Sequence, residues 1–118
     1  MKFLSNLIVS TLAILITAYF FPRSVHVDGI LTALLVAAVL AFLNSIVKPL
    51  LVLLTIPFTI FSFGLFLLVI NAVIILMASS LVSGFKVSGF WTALFFSLVL
   101  SLVTSLLNSL QFKAKTNG

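Results

Sequence analysis

The residues best placed to do chemistry in this chain are three amides and one amine. Asn44 and Lys48 stand four apart, on one face of a helix. Asn71 lies inside an apolar run, between Val69-Ile70 and Ala72-Val73. Sliding the first part of the chain sixty residues along sets Thr104 and Asn108 against Asn44 and Lys48. An amide in lipid needs hydrogen-bond partners, so Asn71 either bonds a neighbouring helix or lines a polar path. On the second alternative Asn44, Lys48, Asn71 and Asn108, with Thr104 aligned to Asn44, enclose a small hydrated cavity open to the cytoplasm. Lys48 alternatively snorkels to the interface.

Bond-breaking chemistry lacks its usual parts. The chain has no Glu, no Cys, one Asp (Asp28) and one His (His26). Hydrolysis, phosphoryl transfer and redox chemistry are therefore not expected. His26 and Asp28 are two apart and can touch, but two groups make no metal site. The expectation is a non-enzyme with no catalytic residue, no metal ligand and no cofactor.

The elements that must position these groups follow from composition. The 118 residues are 64% hydrophobic and 6% charged, against about 25% charged in a soluble domain. Such a chain cannot clothe a water-facing surface and belongs in a bilayer. Its net charge of +5 comes from cations scattered singly, with no basic stripe to follow a phosphate backbone, so nucleic acid is not an expected partner. Four apolar runs, about 3–21, 30–47, 58–82 and 90–110, approach or exceed the ~20 residues that span a hydrocarbon core. The first ends in Tyr-Phe-Phe-Pro-Arg rather than a small-x-small cleavage site, and reads as a retained helix. Lys2, Lys48, Lys113 and Lys115 fall on one side, Arg23 and Lys86 on the other, which predicts a multi-pass membrane protein with cytoplasmic termini. Lys2, Lys113 and Lys115 are placed to meet anionic lipid headgroups. Tyr19 and Trp91 fit anchors near the outer interface.

The chain also resembles itself. Residues 25–45 laid on 85–105 give 8 identities in 21 positions, including Gly29/Gly89 and a shared Thr-Ala-Leu. Self-similarity at a fixed offset signals a repeat. The expected fold is all-α, one transmembrane domain of four helices built from two parallel two-helix repeats, about 3–50 and 60–110. A Pro-containing apolar linker, 48–59, joins them, and a short basic tail, 111–118, follows. At Pro49 the second helix either kinks and runs on to about Leu54, or the chain lies along the interface; Pro57 interrupts it again. The outer loops rhyme too: 25–29 and 85–89 alternate apolar and polar residues before a Gly, as short extended segments do.

Every fourth residue of the second helix is small: Gly29, Ala33, Ala37, Ala41, Ser45. The fourth helix repeats this with Gly89, Ala93, Ser97, Ser101, Ser105 and Ser109. Lipid supplies little drive for helix pairing, and small side chains let backbones approach. Helices two and four are accordingly expected to meet along this seam; the rival is that the seam binds a second protomer, giving a homo-oligomer, dimer or larger.

Asn44-Ser-Ile-Val-Lys48-Pro49, Leu54-Thr55-Ile-Pro57-Phe-Thr59, Gly64 through Asn71-Ala72 and Ser83-Gly84-Phe85-Lys86-Val87 together resemble a bacterial family. It is the small four-span membrane proteins labelled phage-holin-like, in the four-helix phage holin group, and the resemblance covers about 3–110. It implies a protein that accumulates in the inner membrane, oligomerises and opens lesions or pores. One departure is the tail after Leu110, which holds only Lys113 and Lys115 where many holins carry a strongly charged tail. The alternative function is a housekeeping envelope protein: a small-solute or lipid carrier, or a structural partner of other membrane proteins.

Overall fold

A helix closes its backbone hydrogen bonds within itself, so long apolar runs fold as helices. A computed structural model, describing residues 2–62 and 64–117 with side chains as far as Leu110, is mostly helical. The order is α1 (Lys2–Tyr19), β1 (Val25–Val27), α2 (Ile30–Phe42), a π-helical turn (Leu43–Val47), α3 (Lys48–Leu54), α4 (Ile56–Phe61), α5 (Leu65–Leu81), β2 (Phe85–Val87) and α6 (Phe90–Asn117). Lys2–Tyr19, Ile30–Leu54 and Phe90–Leu110 are long and apolar enough to cross a membrane, and Leu65–Leu81 is a shorter apolar fourth.

Pro49 does not end the second helix. The chain passes through it to Leu54, the first of the two expected paths. Pro lacks an N–H and its ring crowds the carbonyl four residues back. The turn before it widens, so that the Lys48 N–H reaches the Leu43 carbonyl five residues away. The helix stops at Thr55, whose hydroxyl bonds the Leu51 carbonyl at 2.7 Å. Pro57 then sits in the first turn of α4, where a missing N–H costs nothing. α4 ends with the Gly64 N–H on the Thr59 carbonyl at 2.8 Å, Gly64 itself being left-handed at φ 88°. The third apolar run is therefore divided, and α6 carries helical backbone through the 111–117 region expected as a tail. The headgroup contacts expected of Lys113 and Lys115 lie outside the described side chains.

The two short strands pair antiparallel: Val25 with Val87, His26 with Lys86, Val27 with Phe85. Their central pair is sixty residues apart. A shift of sixty residues exchanges the two flanking bonds, Asp28 N–H to Gly84 O at 3.0 Å and Ser88 N–H to Ser24 O at 2.9 Å. Period-two alternation buries Val25 and Phe85 and leaves His26 and Lys86 exposed. The ribbon caps the end of the bundle away from the chain termini.

α1 packs along α2 and α6, and α5 packs along the same two. α2 and α6 stand at opposite corners of this ring and are not a well-packed pair. That corrects the expected clasp between the second and fourth helices. Gly29 and Gly89, which head the two small-residue rows, have nothing within 4 Å of where a Cβ would stand. Ala33, Ala37, Ala93 and Ser97 are buried, whereas Ser45, Ser101, Ser105 and Ser109 are exposed. The physical reason is reach. Large side chains (Ile14, Val36, Phe85, Phe96) fill the centre of the ring toward the ribbon, and the short Ala and Ser side chains cannot bridge the diagonal at the other end.

Close approach occurs instead at Gly84, where an added Cβ would lie 2.7 Å from Asp28 Oδ2 and 2.9 Å from Thr32 Cγ2. Gly84→Ala is expected to cost about 1 kcal/mol by overpacking, part of it relieved by movement of the exposed Asp28 carboxylate. Gly29→Ala and Gly89→Ala are expected to leave the melting temperature in detergent unchanged. A larger loss at Gly29 or Gly89 than at Gly84 would restore the clasped seam.

Candidate functional site

Toward the chain termini the ring is hollow. Three cavities, of about 360, 270 and 100 Å³, share lining residues and form one vestibule. Asn44 lines all three. The largest lies between α1, α2 and α6, bounded by Ser10, Ala41, Ser101, Thr104 and Ser105. The smallest is the inner recess, where Asn44, Lys48, Asn71, Ser97 and Ser101 converge. The third opens between α1 and α2 beside Asn6 and Ser45.

The sequence-derived cluster thus comes together in most of its members. Asn44, Lys48 and Asn71 share one recess, and Thr104 shares the adjoining chamber with Asn44. Asn108 is exposed and lines neither of these two cavities. The small residues of the two rows take part differently than expected: Ala37, Ala41, Ser101 and Ser105 are vestibule wall, and their size leaves the space open. The sequence does not single out Ser10 and Asn6 of α1. They have no counterpart in the 25–45 and 85–105 comparison, and only the packing of α1 between α2 and α6 brings them in.

Local structure aims the key groups. The π-helical turn contains Asn44 and ends at Lys48, and its extra width brings residues four apart closer to alignment than an α-helix does. Asn71 faces them from α5. Among the described residues no side chain or backbone group hydrogen-bonds the amides of Asn44 or Asn71, or the Lys48 ammonium. Asn71 lines the recess, and no bond from its side chain to a neighbouring helix is present among the described residues. Ser97, 6% exposed, donates its proton to the Leu94 carbonyl at 2.8 Å.

The vestibule is blind. Ile14 and Leu40 form its floor, and both are buried. Beyond them Phe96 packs on Phe21 and Phe85, with ring centroids 6.0 and 5.8 Å apart. The ribbon closes the end above. On that far side His26 Nε2 meets Asp28 Oδ1 at 2.6 Å in an exposed pair, which adds little stability. Among the described residues no three of His, Cys, Asp or Glu gather. The vestibule offers amide, hydroxyl and ammonium groups for binding, and no evident acid–base pair.

A family model for mycobacterial four-span phage holins, superfamily IV, matches residues 1–106. The Bacillus subtilis "uncharacterized membrane protein YvlD" is 38% identical over 99 residues, 83% of this chain and 82% of that protein. The Streptomyces coelicolor "uncharacterized protein SCO3922" is 42% identical over 83 residues, 67% of this chain and 66% of that protein. No solved structure matches the chain to a significant degree.

Proposed function

Because the chain belongs to the mycobacterial four-span phage holin family, superfamily IV, we propose that it is a non-enzymatic membrane module whose vestibule receives a polar solute or lipid headgroup. One observation carries this: the cavities meeting at Asn44 gather amide, hydroxyl and ammonium groups among apolar walls, with Ile14 and Leu40 as their floor and Phe96 buried beyond it. A single copy so built binds from one side and does not conduct. Intramembrane polar groups without a structural partner mark functional sites. We place the module in the bacterial inner membrane with cytoplasmic termini, on the distribution of its lysines, so that the vestibule faces the cytoplasm. Its two hairpins, α1–β1–α2 and α5–β2–α6, are proposed as copies of one unit. The sixty-residue offset of the ribbon's central pair, and the exchange of its flanking bonds under the same shift, support a two-fold axis between His26 and Lys86.

Thiol labelling tests the vestibule, since the natural chain has no Cys to interfere. A water-soluble maleimide is expected to modify Asn44→Cys and Asn71→Cys from the terminal side and to spare Thr17→Cys, whose site is buried. Folded Asn71→Cys protein that resists the maleimide would remove the binding function.

A second function, the oligomeric lesion, is favoured by the exposed polar residues Asn108 and Ser109 of α6, which line no part of the vestibule and which lipid alone satisfies poorly. Expression that collapses the membrane potential supports this lesion; a sustained potential supports the blind vestibule.

A further inference from the structure

We propose that the vestibule is an anion site centred on Lys48, and that its ligand is a phosphate-bearing group. This rests on the vestibule being a binding cavity, and goes on to name what it binds. Lys48 is half-buried and lines the inner recess. The chain's one carboxylate side chain, Asp28, lies at the ribbon end and is engaged with His26. Lys48 therefore has no counter-ion among the described residues. An ammonium beside low-dielectric walls is costly without one, and a bound anion supplies it. A cation entering the same recess would be repelled by the Lys48 ammonium.

The neutral groups fit the same charge. Asn44 precedes Lys48 by one turn, and Asn71 faces both from α5. Each amide brings two N–H donors to a site where Lys48 brings three. Ser101 adds a hydroxyl at the mouth of the recess. A lysine point charge among neutral donors is a common way of holding phosphate. Size agrees: a recess of about 100 Å³ has room for a phosphate. The adjoining chamber, of about 360 Å³, receives what is attached to it. Asn44, Ser45, Ser101 and Ser105 are exposed, so the ligand arrives either as a free phosphate or as the headgroup of an anionic lipid.

The test uses the full-length protein in detergent after exposure to vesicles of phosphatidylglycerol and phosphatidylcholine in equal amounts. Native mass spectrometry counts retained lipid, and a parallel melting experiment compares inorganic phosphate with chloride at equal ionic strength. The wild type is expected to prefer phosphatidylglycerol, or to be stabilised by phosphate, and Lys48→Gln to lower that preference about tenfold, the loss of one charge-assisted contact. Lys48→Arg is expected to retain most of it, and Lys86→Gln, at the opposite end, all of it. Asn71→Leu gives a second reduction if Lys48→Gln melts early. Phosphatidylglycerol retention without a phosphate effect identifies a lipid, and the converse a solute. The anion site is overturned if neither probe is preferred, if Lys48→Gln and Asn71→Leu both behave as wild type, or if Lys86→Gln loses as much. Where any of these results is met, maleimide labelling of Asn71→Cys leaves a vestibule without an anion; an Asn71→Cys protein that stays unlabelled removes both.

Discussion

Phe96→Ala is expected to lower stability by about 3 kcal/mol and to unblock the closed end of the vestibule. Phe96 is fully buried and packs on Phe21 and Phe85 just beyond the recess floor. In a membrane the removed ring is not driven by water, because the unfolded helix would bury it in lipid anyway. What is lost is packing: dispersion contacts on every side of a void that has nothing to fill it. The void also lies between the polar recess and the ribbon. Truncation should therefore show twice: as an earlier midpoint in a detergent unfolding titration, and as labelling of Thr17→Cys, which the intact core protects. A stable Phe96→Ala, Thr17→Cys double variant that takes up no label would show that the blind end is closed by something other than this aromatic cluster.

Ala33→Leu and Ala93→Leu should each destabilise by about 2 kcal/mol, and by similar amounts. Both alanines are fully buried, each donates its N–H to a glycine carbonyl at 2.9 Å, and they are sixty residues apart. An isobutyl group has no space at either place and must push α2 or α6 out of the ring. Equal losses are what two copies of one hairpin predict; a loss at one site and none at the other would count against copies in equivalent surroundings. The comparison is cleaner than sequence identity, because it weighs surroundings rather than letters. Ser45 and Ser105, also sixty apart, are both exposed, and Leu there should be tolerated.

Much of this is legible in the residues. Four apolar helical stretches, the continuation of the second helix through Pro49 as one of two paths, the shared face of Asn44 and Lys48, and the isolation of Asn71 in its apolar run are all accessible without coordinates. Each depends on a rule local to one helix: length against bilayer thickness, position four against position one, or the cost of an isolated amide in lipid. The role of the small residues is misread from sequence because the small-xxx-small rule says that something approaches closely, or has room to, without saying which. In α2 and α6 the lower half of each row borders open space. Alignment to Lys48 groups Asn108 with the cluster, but one more turn of α6 carries it to an exposed position. Ser10 and Asn6 escape notice, since an isolated Ser or Asn near a chain start carries no signal of its own.

The amino-acid sequence alone determined that this chain is helical, that it belongs in lipid, and where its few polar groups fall along each helix. Those outcomes follow from free energies that each residue carries with it: apolar transfer, backbone hydrogen bonding and the missing N–H of proline. Only the tertiary structure decided that α1 and α5 separate α2 from α6, that 25–27 and 85–87 join in a ribbon, and that the polar groups face a void rather than one another. These depend on which side chains fill the centre of a four-helix ring. Phenylalanines fill it at one end, while serines and alanines leave it empty at the other, and that difference in volume becomes visible only when the four helices are set side by side.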